Sequence, residues 1–181
     1  MRNKQNDSIR ILGDESGFTL LELVLVSVAL LIIIGISASF SNQVDSNTDL
    51  IVSQQAVTTI QGSTKGSFKT RGNYLGLENS IAKDLDIFPR DMVDETGSLV
   101  IRNRYDGTVT LRVNASNSLQ QQQIWTGLPM AACMKMALYS PETWVFVDIN
   151  GTSIDPTADS AMADANGACN DTGNTITWTS N

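Results

Sequence analysis

The sequence predicts an α+β fold, one long N-terminal helix packed on an antiparallel β-sheet, and three observations carry that expectation. A nearly uninterrupted apolar run from Phe18 to Ile36 continues without proline to Gly62 and keeps apolar residues at helical spacing. Short alternating segments follow, with the turn dipeptides Asp106-Gly107 and Asn150-Gly151 among them. The stretch from Ser63 to Asn181 is long enough for one compact domain and too short for two of usual size.

A charged leader, residues 1–17, precedes the first element, and its basic residues are Arg2, Lys4 and Arg10. No lysine or arginine occurs between Phe18 and Val57, so the positive-inside rule places the leader in the cytoplasm and exports the remainder. As a helix, Phe18 to Ile36 spans about 28 Å, enough to cross a hydrocarbon core once. The junction ESGFTLLELV, Glu15 to Val24, holds the chemistry. Gly17 is small and flexible enough to lie extended in a protease cleft. Glu22 puts an acid inside the apolar run, at a cost of about 2.5 to 3.5 kcal/mol at mid-bilayer and less near the edge. A helix N-terminus returns only about 0.3 to 1 kcal/mol to an exposed carboxylate. The acid therefore asks for a partner of opposite charge. An ordinary secretory signal is cleaved after its apolar region, whereas this junction lies before it.

From Ser37 to Gln61 the helix becomes amphipathic, with Phe40, Val44, Ile51, Val57 and Ile60 as its apolar face and Asp45, Asp49, Gln54, Gln55 and Gln61 as its polar one. A single helix from Phe18 to Gln61 measures about 66 Å. Gly62 stops it, and Ser63 to Tyr74 reads as the exit loop. The head then occupies residues 63–181. Leu77 to Leu85 reads as a helix closed by Ile87-Phe88-Pro89, since the residue before proline disfavours helical backbone. Strands are expected over Leu99 to Ile101 and Thr108 to Val113, and Gln120 to Gln123 is a loop or strand start. Pro129 to Leu138 has helical periodicity with proline in the first turn. Trp144 to Ile149 pairs with Thr152 to Ile154 through Asn150-Gly151, and Thr175 to Thr179 makes a last alternating strand.

The formal charge is -7, and no basic stripe supplies the footprint that nucleic-acid binding needs. The chain contains no histidine, which removes the commonest general base and metal ligand, so no enzyme and no cofactor are expected. Its cysteines are Cys133 and Cys169, both on the exported side, where thiols oxidise. A disulfide is expected over free thiols or a metal pair, because a structural zinc site wants four ligands. Closing that loop is worth about 4 kcal/mol in the chain-entropy account. Asp155, Asp159, Asp164 and Asp171 lack the order of an EF-hand loop, and no metal site is expected.

The glycine before an apolar run that begins with Phe18, with an acid at Glu22, resembles a type IV prepilin. The resemblance implies that a prepilin peptidase cuts between Gly17 and Phe18, that Phe18 is N-methylated, and that Glu22 pairs with a neighbouring subunit's amine during assembly. It implies the type IV pilin fold, with Cys133 to Cys169 bounding an outward-facing region. Three further stretches, Asn73 to Val93, Thr126 to Ala137 and Asn174 to Asn181, resemble the type IVb major pilins of thin, conjugative and enterobacterial pili. The implied partners are further copies in a helical homopolymer, minor pilins, the inner-membrane assembly machinery, and the membrane before assembly. The implied location is the inner membrane, then an extracellular pilus serving adhesion, aggregation or conjugative contact. Two competitors share parts of the pattern: a pseudopilin of type II secretion, and a monomeric anchored domain that needs no cut at Gly17.

Overall fold

The computed structural model describes residues 20–94 and 99–181. The chain divides into two compact units, Met1–Val44 and Asp45–Asn181. Helix α1, Leu20–Phe68, contributes to both. In the first unit Val24 and Val28 are exposed, and the Ser27 hydroxyl donates to the Val24 carbonyl at 2.8 Å. Among the described side chains, no stretch is long and apolar enough to cross a membrane. Most of the 18–36 run lies outside those side chains.

In the second unit α1 buries Ser53, Ala56, Val57, Ile60, Gln61, Thr64 and Phe68, a stripe at three- and four-residue spacing that forms one wall of the core. The expected stop at Gly62 is corrected: the helix runs on to Phe68. Ser63 to Phe68, expected in an exit loop, is its last part. Two buried anchors explain this. Thr64 returns its hydroxyl to the Ile60 carbonyl at 2.6 Å, and Phe68 inserts into the core beside Tyr74, ring centroids 5.8 Å apart. Burial of those side chains outweighs the roughly 1 kcal/mol that glycine costs a helix. Val57 and Ile60 are buried as expected, and two assignments beside them are corrected. Ile51, assigned to the apolar side, is 54% exposed, whereas Gln61, assigned to the polar side, is 7% exposed. The side chains of Phe40 and Val44 lie outside the described residues.

A short helix, α2 (Asn79–Asp84), lies within the expected Leu77 to Leu85 stretch, and a 3-10 turn (Arg90–Met92) begins directly after Pro89. Six strands form one antiparallel sheet: β1 (Ile101–Arg102), β2 (Thr108–Asn114), β3 (Asn117–Leu128), β4 (Phe146–Ile149), β5 (Thr152–Ile154) and β6 (Asn174–Ser180). Their spatial order is β1-β2-β3-β6-β4-β5, so the C-terminal strand lies inside the sheet. Helices α3 (Met130–Ala137) and α4 (Ala161–Ala168) flank the disulfide. Trp178 on β6 meets Trp125 edge-on at 6.2 Å and Trp144 at 6.1 Å, an aromatic cluster at the sheet centre.

The glutamine tract is part of β3 rather than a loop, and its alternation gives it a purpose. Gln121 and Gln123 point inward and Gln120 and Gln122 outward. Gln123 donates to the Val57 carbonyl of α1 at 3.0 Å and accepts from the Trp125 indole at 3.2 Å. Sheet and helix are thus joined by a buried amide whose two ends are both used. At the sheet's other flank, Asn79 donates to the Val109 carbonyl and accepts from the Leu111 amide, extending the edge contacts of β2 past Val109, where its pairing with the short β1 ends.

Candidate functional site

Gly17 and Phe18 lie outside the described residues, as does the side chain of Glu22, whose backbone belongs to α1. The predicted site that the structure describes in full is the disulfide-bounded region. Cys133, buried on α3, is bonded to Cys169, which follows α4, with Cα atoms 6.1 Å apart. The two helices reach this position for local reasons. Pro129 precedes α3 with extended backbone, and α4 closes with the Cys169 amide donating to the Ala165 carbonyl.

Two asparagine side chains, Asn174 and Asn150, tie this region to the sheet, and the sequence marked Asn150 only as a turn residue. Asn174, fully buried at the start of β6, uses every hydrogen-bonding valence of its amide. Its Nδ2 donates to the Leu128 carbonyl at 2.9 Å and the Asn170 carbonyl at 2.8 Å. Its Oδ1 accepts from the Asn170 amide at 2.6 Å and from Asn150 Nδ2 at 2.9 Å. Asn150 also donates to the Ala168 carbonyl at 2.8 Å and accepts from the Thr175 amide at 2.9 Å. The only sequence signal for this cluster was the Asn150-Gly151 turn. Both residues have positive φ, 53° and 88°, the backbone that a two-residue hairpin with right-handed twist requires.

A second cluster sits at the far flank of the sheet. Asn103 donates to the Thr126 carbonyl at 2.8 Å and accepts from the Tyr105 and Gly107 amides, folding the Asp106-Gly107 turn against β3. A Cβ on Gly107 would stand 1.8 Å from the Thr126 carbonyl oxygen, and one on Gly127 would stand 2.9 Å from Gly107 Cα. Two chains of backbone pass there with no room for a side chain.

A groove of about 620 Å³ beside α3 is lined by Gln54, Met134, Lys135, Leu138, Tyr139 and Met162, mostly apolar contact surface. Two of the aspartates are engaged locally. Thr157 holds the Asp155 carboxyl below its usual range, chiefly by its hydroxyl and then its amide, and Asp164 accepts from Ser160 at 2.8 Å. Among the described residues no three carboxylates or cysteines converge on one point.

Residues 47–181 match the family described as PilS N terminal. Among solved structures the chain is similar to the crystal structure of TcpA, a type IV pilin from Vibrio cholerae El Tor biotype. The TM-score is 0.56 and the identity 10%, over 74% of this chain and 99% of that one. At that identity the likeness is one of fold. No curated protein matches.

Proposed function

The chain belongs to the PilS N-terminal family, and from that premise, with the type IV pilin fold of its head, we propose that it is the structural subunit of a type IVb pilus. It is made as a prepilin, cut between Gly17 and Phe18, methylated at Phe18 and polymerised into an extracellular fibre. What carries the reading is α1. One helix, Leu20–Phe68, supplies the core face of the head, Ser53 to Phe68, and includes Glu22, the acid of the apolar run that the sequence begins after Gly17.

The chemistry follows from burial. An apolar helix leaves lipid only for another apolar environment, which the packed helices of a fibre provide. Glu22 and the new amino terminus of a neighbour each lose their hydration in that setting, and together they offset the loss by ion pairing. Methylation leaves the amine charged, so the pairing is kept. Asn150, Asn174 and the disulfide hold the Cys133 to Cys169 region as a stiff outer surface, which suits a subunit exposed along a fibre. The family match over the head supports a pilus subunit over a type II secretion pseudopilin.

Intact mass and N-terminal sequence of protein sheared from the cell surface test this directly. The expected species starts at methylated Phe18 and is lighter by two hydrogens. The same mature form confined to the envelope would transfer the reading to the pseudopilin, and an uncut Met1 chain would end both. Glu22→Ala should still be processed yet assemble poorly; piliation equal to wild type would remove the pairing.

A further inference from the structure

The chain's two Asn-Gly pairs, Asn150-Gly151 and Asn166-Gly167, both fall inside the segment closed by Cys133 and Cys169. Such a pair carries a latent reaction, because glycine puts no Cβ between its nitrogen and the preceding side chain. The Gly151 nitrogen attacks Asn150 Cγ, a new N–C bond forms, and the Cγ–Nδ2 bond breaks. The departing nitrogen leaves as ammonia with the proton given up by Gly151. Water then opens the cyclic imide to aspartate or isoaspartate. Water is the only co-reactant.

Asn150 is exposed and sits in a turn, yet each atom needed for that attack is held elsewhere. Its Nδ2 is bound to the Ala168 carbonyl and to Asn174 Oδ1, and its Oδ1 accepts from the Thr175 amide. The Gly151 amide donates to Asp148 Oδ1 at 2.9 Å. That carboxylate's negative charge opposes the amide anion that must form before attack. Two of the groups that hold this arrangement flank Cys169: the Ala168 carbonyl binds Asn150, and the Asn170 backbone binds Asn174.

We infer that Asn150 is a deamidation site that the disulfide-bounded fold keeps closed and that breaking the Cys133–Cys169 bond opens. Loss of the bond unties residues 168–170 from α3 and frees the Asn150 amide to turn toward Gly151. The change is one-way. An aspartate at position 150 cannot donate to the Ala168 carbonyl or to Asn174 Oδ1, so those acceptors would face a carboxylate. An isoaspartate would also add a methylene to the hairpin backbone and shift its register.

The test compares the full chain in its disulfide-bonded form with the same chain reduced and alkylated, both incubated at mildly alkaline pH. Peptide mapping reads the mass gain of replacing NH2 by OH at position 150, with Asn166 in α4 as the internal comparison. The reduced chain should react at Asn150 roughly tenfold faster or more, the factor expected when ordinary hydrogen bonds must otherwise open first. In the bonded chain, Asp148→Asn should raise the Asn150 rate while leaving the disulfide intact. Equal rates in the bonded and reduced chains would overturn the inference, as would an Asn150 that stays unreacted after reduction. An unchanged rate in Asp148→Asn would overturn the part assigned to that carboxylate.

Discussion

At the scale of single residues, what decides the outcome is whether an atom has space and a partner. Gly107 has neither room nor freedom, because its missing Cβ would lie 1.8 Å from the Thr126 carbonyl. Gly107→Ala is expected to cost about 3 kcal/mol or more, since backbone rather than a movable side chain must shift. Urea denaturation checks it, and an unchanged midpoint would contradict the packing described. Two phenols give the chain a pH dependence. Burial raises Tyr74 above its ordinary 10.0. For Tyr105 burial leads and the Asp49 carboxylate adds to it, while the nearby Ser53 hydroxyl works the other way. The folded chain holds these protons more tightly than the unfolded one. Their stabilisation is therefore complete below about pH 10 and drains as pH rises through the raised values. Unfolding series from neutral pH to about pH 11 should show that decline, and Tyr105→Phe should flatten it. Individual asparagines and glutamines were the least legible residues in the sequence, because an amide's value depends on which backbone groups the fold brings to it.

Among the elements, length and type followed from local signals wherever the pattern was strong. Helix α3 begins after Pro129, the β4–β5 hairpin turns at Asn150-Gly151, and β6 takes in Thr175 to Thr179. The end of α1 did not follow, because glycine's helix penalty is small against burial of Phe68. That makes Gly62 an informative position. Its helical site has nothing within 4 Å of an added Cβ. Gly62→Ala should therefore stabilise the head by about 0.5 to 1 kcal/mol, the opposite sign to Gly107→Ala. A thermal melt of the two variants side by side measures both. Helix α4 was missed altogether, since AMADANGA has a weak apolar face and two poor helix formers, Asn166 and Gly167. Its place is secured from outside, by the disulfide and by Asn150 on the Ala168 carbonyl.

For the whole molecule, the disulfide between Cys133 and Cys169 is the covalent tie. Cys133→Ser is expected to lose about 4 kcal/mol in the chain-entropy account, and the reduced wild type should behave alike. Normal subunit levels and a normal unfolding midpoint in the variant would show the bond to be dispensable. The sequence by itself determined the class of fold and the pairing of the cysteines. These depend on composition, spacing and compartment, all of which are local. Only the tertiary structure decided that β6 enters the sheet between β3 and β4, that Gln123 reaches the Val57 carbonyl, and that Asn174 joins Leu128, Asn150 and Asn170. Partners that far apart in sequence are chosen by which pairing leaves the fewest buried polar groups unmatched and the least apolar surface in water, and that is a property of the folded chain as a whole.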